Sequence, residues 1–158
     1  MKPTIEFELN GKPVTTMADP STPLLFVLRN EFQLKGARFG CGEEQCGACM
    51  VLVDDQPVYA CSREFGTLAG KAVQTIEGLV QDGSPHPVQT AFIEEQAAQC
   101  GYCTSGLIMS SVALLKRCPA PDRSAIIEAL DPHLCRCGVH NRVIRAVEKA
   151  AAIMRKST

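Results

Sequence analysis

The sequence predicts an α+β fold, with strands and one helix in its first half and a bundle of helices in its second. Early in the chain, apolar residues alternate with polar ones, which is the period of a half-buried strand. Later, apolar residues recur at helical spacing. The polar, turn-rich stretch 81–85 separates the two patterns and is typical of a domain junction. We therefore expect two domains, residues 1–78 and residues 84–158.

Strand and turn signals follow one another in the first half. Alternation from 4 to 9 predicts a strand, and Asn10-Gly11 favours a tight hairpin turn after it. Thr22 before Pro23 predicts a helix cap with proline at the first helical position. The expected elements are strands at 4–9, 14–17, 50–53, 56–59 and 72–76, and a helix from 22 to about 30.

Helical periodicity dominates the second half. Pro87 can occupy a first helical position, and Pro119 and Pro121 interrupt the chain between two periodic segments. The expected helices cover 87 to about 99, 107–115, 123–130 and 143–154. Four helices with short connections predict a small bundle.

Composition excludes several function classes. The net charge is −1, no basic run is present and aromatic residues are few, so we expect no nucleic-acid partner. The N-terminus lacks the apolar core of a signal peptide, and no apolar run is long enough to cross a membrane. We expect a cytoplasmic protein without direct membrane insertion, periplasmic or membrane-associated only through a partner.

The nine cysteines point to metal binding. An odd number cannot all pair as disulfides, and the cytosol disfavours structural disulfides. Eight cysteines would fill two sites of four ligands each and leave one over.

The first candidate set is a glycine-rich loop. Cys41, Cys46 and Cys49 are separated by four and then two residues, and Cys61 follows after a longer interval. This spacing is the plant-type ferredoxin arrangement for a 2Fe-2S cluster. Glycines in the loop allow the tight wrapping that three converging thiolates require.

The second candidate set lies in two connections between predicted helices. Cys100 and Cys103 belong to one connection, Cys135 and Cys137 to another, and both connections can meet at one end of a bundle. A structural zinc site is the competing interpretation, but its usual paired cysteines have two to four residues between them, which C-x-C does not match. We therefore favour iron–sulfur clusters at both sets.

Three motifs together resemble a known family. Gly40-Cys41-Gly42 to Cys49, Gln99 to Cys103, and Leu134 to Gly138 are similar to the small iron–sulfur subunit of the molybdenum hydroxylases, the xanthine dehydrogenase family. The resemblance implies a ferredoxin-like β-grasp domain followed by a four-helix bundle domain, each with one 2Fe-2S cluster. It also implies that the cluster of the helical domain lies nearer the molybdopterin cofactor, and the other nearer the electron acceptor.

The same resemblance assigns contacts with the cofactor of a partner. Gln99 and Cys137 match pterin-contacting positions, while the molybdopterin itself is held by the partner subunit. Within the family, the stretches 86–99 and 137–140 are most similar to small subunits such as those of nicotinate dehydrogenase and isoquinoline 1-oxidoreductase. Ser105 departs from the family, which commonly has proline there.

The expected function is electron transfer in a larger oxidoreductase. The chain would pass electrons, one at a time, from molybdopterin through two 2Fe-2S clusters to a flavin subunit or a c-type cytochrome. The partner is a large molybdopterin-binding subunit, the substrate class is N-heteroaromatic or aldehyde, and no catalytic residue is expected in this chain. Alternatives are a free-standing two-cluster carrier and a zinc-binding adaptor.

Several further residues carry expectations. Glu43 and Glu44 are expected in an exposed acidic rim rather than as an acid–base pair. Tyr102 would pack within the bundle or shield its cluster, and Cys118 would be a small buried apolar residue. Caps or surface positions are expected for the three histidines, His86, His133 and His140.

Overall fold

The computed structural model describes residues 4–156, which form a five-stranded sheet with one helix, followed by four more helices. The strands are β1 (Ile5–Leu9), β2 (Lys12–Thr16), β3 (Met50–Val53), β4 (Gln56–Tyr59) and β5 (Ala72–Gln74). The helices are α1 (Leu24–Asn30), α2 (Pro87–Glu94), α3 (Thr104–Arg117), α4 (Arg123–Leu130) and α5 (His140–Lys156), and short 3-10 helices cover Phe65–Leu68 and Ile76–Leu79. The predicted α+β class, strands first and a four-helix unit second, is confirmed.

The sheet is mixed, with strand order β2-β1-β5-β3-β4. β1 pairs with β5 in parallel, and the other three pairings are antiparallel. The predicted Asn10-Gly11 turn forms, with φ of 51° and 78°. Asp54 and Asp55, between the predicted strands 50–53 and 56–59, form a second two-residue turn with φ of 49° and 63°. Positive φ at both central residues suits the twist of a two-residue hairpin.

Several predicted boundaries differ from the observed ones, and three of the differences have a clear local reason. α1 begins at Leu24 with Pro23 in the cap position, and no side chain caps the helix, so Thr22 does not have its predicted role. β5 stops at Gln74, because the chain then turns into a 3-10 helix. α2 ends at Glu94 rather than near residue 99, because Gln96 has a left-handed backbone with φ of 51°.

β3 joins two hydrophobic cores. Its residues Val51 and Val53 face the core that the sheet forms with α1, whereas Met50 and Leu52 face the core of the helical half. All four residues of this strand are buried. Burial of apolar surface stabilises a fold by about 25 cal/mol per Å². Because β3 is buried on both faces, this one strand packs with the sheet on one side and with the helices on the other.

Polar contacts also connect the two halves. The Ser105 hydroxyl, near the start of α3, donates a hydrogen bond of 2.7 Å to the Gly36 carbonyl. At the other end of α3, Lys116 forms an ion pair of 2.5 Å with Asp55 in the β3–β4 turn. The domain limits 1–78 and 84–158 stay predictions, and their outer ends extend beyond residues 4–156.

Within residues 4–156, none of the helices combines the length and the apolar character needed to cross a bilayer. The cytoplasmic location stays a prediction.

Candidate iron–sulfur centres

The first four cysteines lie around the N-terminal end of β3, and we call this set the sheet centre: Cys41, Cys46, Cys49 and Cys61. The loop between α1 and β3 carries three of them, and Cys49 directly precedes the strand. The β3–β4 hairpin returns the chain so that the Ala60 amide donates to the Cys49 carbonyl at 3.4 Å. Folding of this hairpin therefore brings Cys61 to Cys49, and their thiols are in contact.

Backbone amides of the loop point at its sulfurs. The amides of Glu43 and Gln45 lie 3.3 and 3.2 Å from Cys41 Sγ, and the Cys41 amide lies 3.4 Å from Cys46 Sγ. Donation from Glu43 and Gln45 lowers the pKa of the Cys41 thiol to about 7. A loop that stabilises thiolate in this way suits an anionic cluster.

Gly40 leaves the space that the Cys46 sulfur occupies. A β-carbon at position 40 would lie 2.6 Å from Cys46 Sγ. This close approach explains why the cysteine loop requires a residue without a side chain there.

The other pair of the sheet centre is buried. Burial raises the pKa of the Cys49 thiol to about 12, with its neighbour Cys61 opposing ionisation as well. A thiol in this setting becomes a thiolate when a metal supplies the positive charge. The donor set thus fits metal ligation better than a free reactive thiol.

The remaining four cysteines form a second set, the helix centre: Cys100, Cys103, Cys135 and Cys137. Cys100 and Cys103 lie between α2 and α3, and Cys135 and Cys137 lie between α4 and α5. The thiol of Cys100 contacts that of Cys137, and the thiol of Cys103 contacts that of Cys135. Packing of the helices therefore brings the two connections together, as the sequence predicts.

The helix centre also has a less exposed pair, the buried Cys103 with the partly buried Cys135, and a more exposed pair, the exposed Cys100 with the partly buried Cys137. Burial raises the pKa of the Cys103 thiol to about 12. The Tyr102 amide, 3.5 Å from Cys100 Sγ, lowers the pKa of the exposed Cys100 thiol. Burial opposes ionisation of Cys135, but amides of Cys137 and Val139 outweigh it and lower the pKa of that thiol.

In each centre, the four thiols form two contacting pairs rather than one group around a single ion. Among the described residues 4–156, no three Cys, His, Asp or Glu side chains are arranged to hold a single ion. A 2Fe-2S cluster has two irons, each of which takes two protein ligands. The chemistry of the eight donors and their pairing therefore fit this cluster, and the assignment of each ligand stays a prediction.

The two centres face each other across the boundary between sheet and helices. The Leu134 amide donates to the Cys46 carbonyl at 3.1 Å, so the residue before Cys135 contacts a cysteine of the sheet centre directly. A cavity of about 280 Å³ lies between the centres, with Cys41, Cys46, Cys100 and Cys135 among its lining residues.

Tyr102 belongs to this boundary and not to the interior of the bundle. Its side chain is half exposed, its hydroxyl donates to the Phe39 carbonyl, and Arg38 lies over its ring at 5.4 Å from the centroid. Arg38 also donates to the carbonyl of Gly101. These contacts hold the Cys100–Cys103 connection against the loop of the sheet centre.

The other predicted residues fall into separate places. Glu43 and Glu44 are exposed on the cysteine loop, as expected for a rim, and Gln99 is exposed next to Cys100. Cys118 ends α3 and is partly buried against the helical core, away from both centres. His86 caps α2, as predicted for a histidine near a helix end.

His133 is a functional candidate that the sequence analysis placed wrongly, at a cap or on the surface. It is only 5% exposed, and a hydrogen bond of 2.7 Å joins its Nε2 to Ser110 Oγ on α3. Burial lowers the pKa of its ring to about 4, so the ring is neutral at physiological pH. No helical or strand pattern in the sequence includes His133. Its position two residues before Cys135 is the one sequence feature that indicates a place near the helix centre.

Comparison with known proteins agrees with this geometry. Residues 7–76 match the family model of the 2Fe-2S iron–sulfur cluster binding domain, and residues 75–148 match that of the [2Fe-2S] binding domain. Each model covers one centre, so two 2Fe-2S cluster-binding domains are present.

Whole-chain relatives extend the comparison. The chain is 48% identical to the nicotinate dehydrogenase A chain of Pseudomonas putida over 99% of both chains. It is 46% identical to the isoquinoline 1-oxidoreductase alpha chain of Brevundimonas diminuta, over 93% of this chain and 97% of that one. The aldehyde oxidoreductase structure from Desulfovibrio desulfuricans superposes with a TM-score of 0.93 at 37% identity, covering 98% of this chain but 17% of that longer chain. The chain thus belongs to the iron–sulfur subunits of the molybdenum hydroxylases, the xanthine dehydrogenase family of oxidoreductases.

Proposed function

We propose that this chain carries electrons, one at a time, from the molybdopterin centre of a large partner subunit to an acceptor, through clusters held in its helix centre and its sheet centre. The hydrogen bond between the Leu134 amide and the Cys46 carbonyl is the observation on which the proposal depends. This hydrogen bond joins the backbone of Cys46, in the sheet centre, to the backbone of the residue that precedes Cys135 in the helix centre. Each 2Fe-2S cluster, when bound, accepts and releases a single electron. The chain's own residues hold, space and insulate these groups.

Ligation is proposed for the eight cysteines of the two centres. In the sheet centre, the contact pairs are Cys41 with Cys46 and Cys49 with Cys61. In the helix centre, Cys100 pairs with Cys137 and Cys103 with Cys135. Each pair would take one iron.

The side of entry is proposed to be the exposed edge of the helix centre. Gln99 and Cys137 match the pterin-contacting positions of the family, and Gln99 is exposed beside Cys100. An exposed amide there can hydrogen-bond to a cofactor that a second chain presents. The large molybdopterin-binding subunit would cover this edge, and the hydroxylated substrate, N-heteroaromatic or aldehyde, would bind in that subunit.

The side of exit is proposed to be the outer face of the sheet centre. Its cysteine loop exposes Phe39, Glu43 and Glu44, and Cys41 itself is partly exposed. A flavin subunit or a c-type cytochrome that docks here would lie closer to the sheet centre than to the helix centre. The relatives in which this chain type is a separate small subunit support such a multi-subunit arrangement.

Purification of the tagged chain from its native host tests the assembly. We expect a large subunit with molybdopterin to co-purify, together with a flavin or haem subunit that identifies the acceptor. A chain that purifies alone, carries both clusters and reduces a soluble acceptor would instead be a free-standing carrier.

Substitution of Gln99 by Ala tests the side of entry in that complex. Substrate should reduce the clusters more slowly in the variant, whereas dithionite should reduce them fully because both clusters remain. Ile93→Ala, an exposed α2 residue well before Cys100, is the control. Equal rates of reduction by substrate in the wild type and the Gln99 variant would contradict the assignment of this residue.

A further inference from the structure

We propose that His133 is the positioning residue of the contact between the two centres: its ring holds the Leu134 amide on the Cys46 carbonyl and thereby sets the electronic coupling between the clusters. This inference rests on the proposed function, since it requires both clusters. His133 does not touch substrate, and nothing in the proposal requires it to change its protonation.

Two helices of the helical half hold the histidine ring. Its backbone amide donates to the Leu130 carbonyl at 3.0 Å, which continues the end of α4. Its Nε2 is bonded to Ser110 Oγ on α3 at 2.7 Å. Two helices therefore define both the position and the orientation of the ring.

Two glycines give the ring its place against the cysteine loop. A β-carbon at Gly47 would lie 2.1 Å from His133 Nδ1, and one at Gly106 would lie 2.0 Å from the Gly47 carbonyl oxygen. The imidazole ring therefore packs against the backbone of the cysteine loop, and the loop packs against the backbone of α3. Neither glycine position has room for a methyl group. Gly47 has φ of 69°, which also favours glycine.

These contacts position the two cysteine sets relative to each other. Gly47 follows Cys46, and Leu134 lies between His133 and Cys135. The ring therefore packs against Gly47, and the preceding residue, Cys46, provides the carbonyl that accepts the hydrogen bond from the Leu134 amide. If the ring were smaller or free to turn, the loop could move and this hydrogen bond would lengthen.

A purely space-filling role does not account for the choice of histidine. In the described chain, the buried His133 Nδ1 makes no hydrogen bond of normal geometry, although the neighbouring Gly47 backbone opposes the lowering of the ring pKa. A buried polar atom without a full hydrogen bond costs stability. An apolar side chain of similar size would avoid that cost. What histidine adds is the Ser110 bond, which orients the ring.

The test measures magnetic interaction between the clusters in the assembled holoenzyme, fully reduced with dithionite, by electron paramagnetic resonance. In the wild type, both cluster signals should be split by their mutual interaction. His133→Leu should retain both clusters and their individual g-values, but lose most of the splitting and show severalfold faster hydrogen exchange at the Leu134 amide. A merely structural loss would lower iron content or stability without this selective change.

Ser110→Ala keeps the ring and removes only the bond that orients it, so a partial loss of splitting is expected. Ser111→Ala is the matched control, because this neighbouring buried hydroxyl bonds to its own helix at the Leu107 carbonyl, at 2.7 Å. If His133→Leu loses a cluster, the comparison of the two serine variants decides the question. Unchanged splitting in Ser110→Ala, or an equal loss in Ser111→Ala, overturns the inference. A wild type without two cluster signals would instead refute the proposed function.

Discussion

The sheet centre and the helix centre have similar arrangements of thiols but are built in different ways. Each has one pair with less solvent contact, in which burial raises the pKa of one thiol to about 12, and one pair with more. Three cysteines of the sheet centre come from one loop, whereas the helix centre joins two connections that only helix packing brings together. The sheet centre is therefore mainly a product of local sequence, and the helix centre a product of tertiary structure.

Removal of one cysteine, in either centre, tests whether the two centres bind their clusters independently. Of the variants considered, these should change the iron content most. Cys46→Ser should remove the signal of the sheet centre and leave that of the helix centre, because its paired cysteine, Cys41, lies in the sheet centre. Cys135→Ser should do the reverse. Each variant should keep about two of four irons, measured by iron analysis and electron paramagnetic resonance.

Cys118→Ser is the control for both variants, because this cysteine lies outside both centres. It should keep the full iron content. Loss of half the iron in this variant, or survival of both signals in Cys46→Ser, would contradict the assignment of ligands.

Gly47→Ala tests how closely the cysteine loop depends on the helical half. The new methyl group would collide with His133 and would sit at φ of 69°. We expect a loss of stability of about 2–4 kcal/mol, from a left-handed backbone cost of about 1–2 kcal/mol and an overpacking cost of similar size. The measurement is the apparent melting temperature of the cluster-loaded protein.

Gly70→Ala provides the matched control, since Gly70 has φ of 70° and open space around its α-carbon. It should lose only about 1–2 kcal/mol, the cost of the backbone conformation alone. Equal losses in the two variants would mean that the close contact of loop and helices contributes nothing to stability.

Ser105→Ala should have the smallest effect. It removes the hydrogen bond to the Gly36 carbonyl, one of several contacts between the halves, and should cost about 1 kcal/mol. Ser105→Pro introduces the residue that the family resemblance leads us to expect here and removes the same bond, so we expect a gain from the rigid helix start to offset part of the loss. Both variants should retain both cluster signals, and thermal unfolding measures the difference. A Ser105→Ala variant as stable as the wild type would contradict the importance of this bond.

The same contrast explains how much of the molecule could be predicted from the sequence. Cys41, Cys46 and Cys49 lie within nine positions, so their spacing alone indicates a cluster loop. Periodicity located all four bundle helices and the strands of both hairpins, and Asn10-Gly11 marked the first hairpin turn, because each of these features depends on neighbours in sequence. The helix centre could be predicted only as a possibility, since its position depended on which helix connections met at one end.

Long-range contacts were the features that the sequence could not predict. The pairing of Cys100 with Cys137, the bond between Ser105 and Gly36, and the burial of His133 all join residues far apart in the chain. The early end of α2 depended on one left-handed residue, Gln96, which no periodic pattern marks. The three long-range contacts leave no signature at short range, because they arise when the helices pack against one another or against the first half of the chain.

The central claim is that this chain holds two 2Fe-2S clusters at two separate centres. A redox titration of the purified protein, followed by electron paramagnetic resonance and combined with iron and sulfide analysis, tests it most directly. We predict about four irons and four sulfides per chain and two distinct signals, each appearing with the uptake of a single electron. A colourless protein with bound zinc and no acid-labile sulfide would contradict the account.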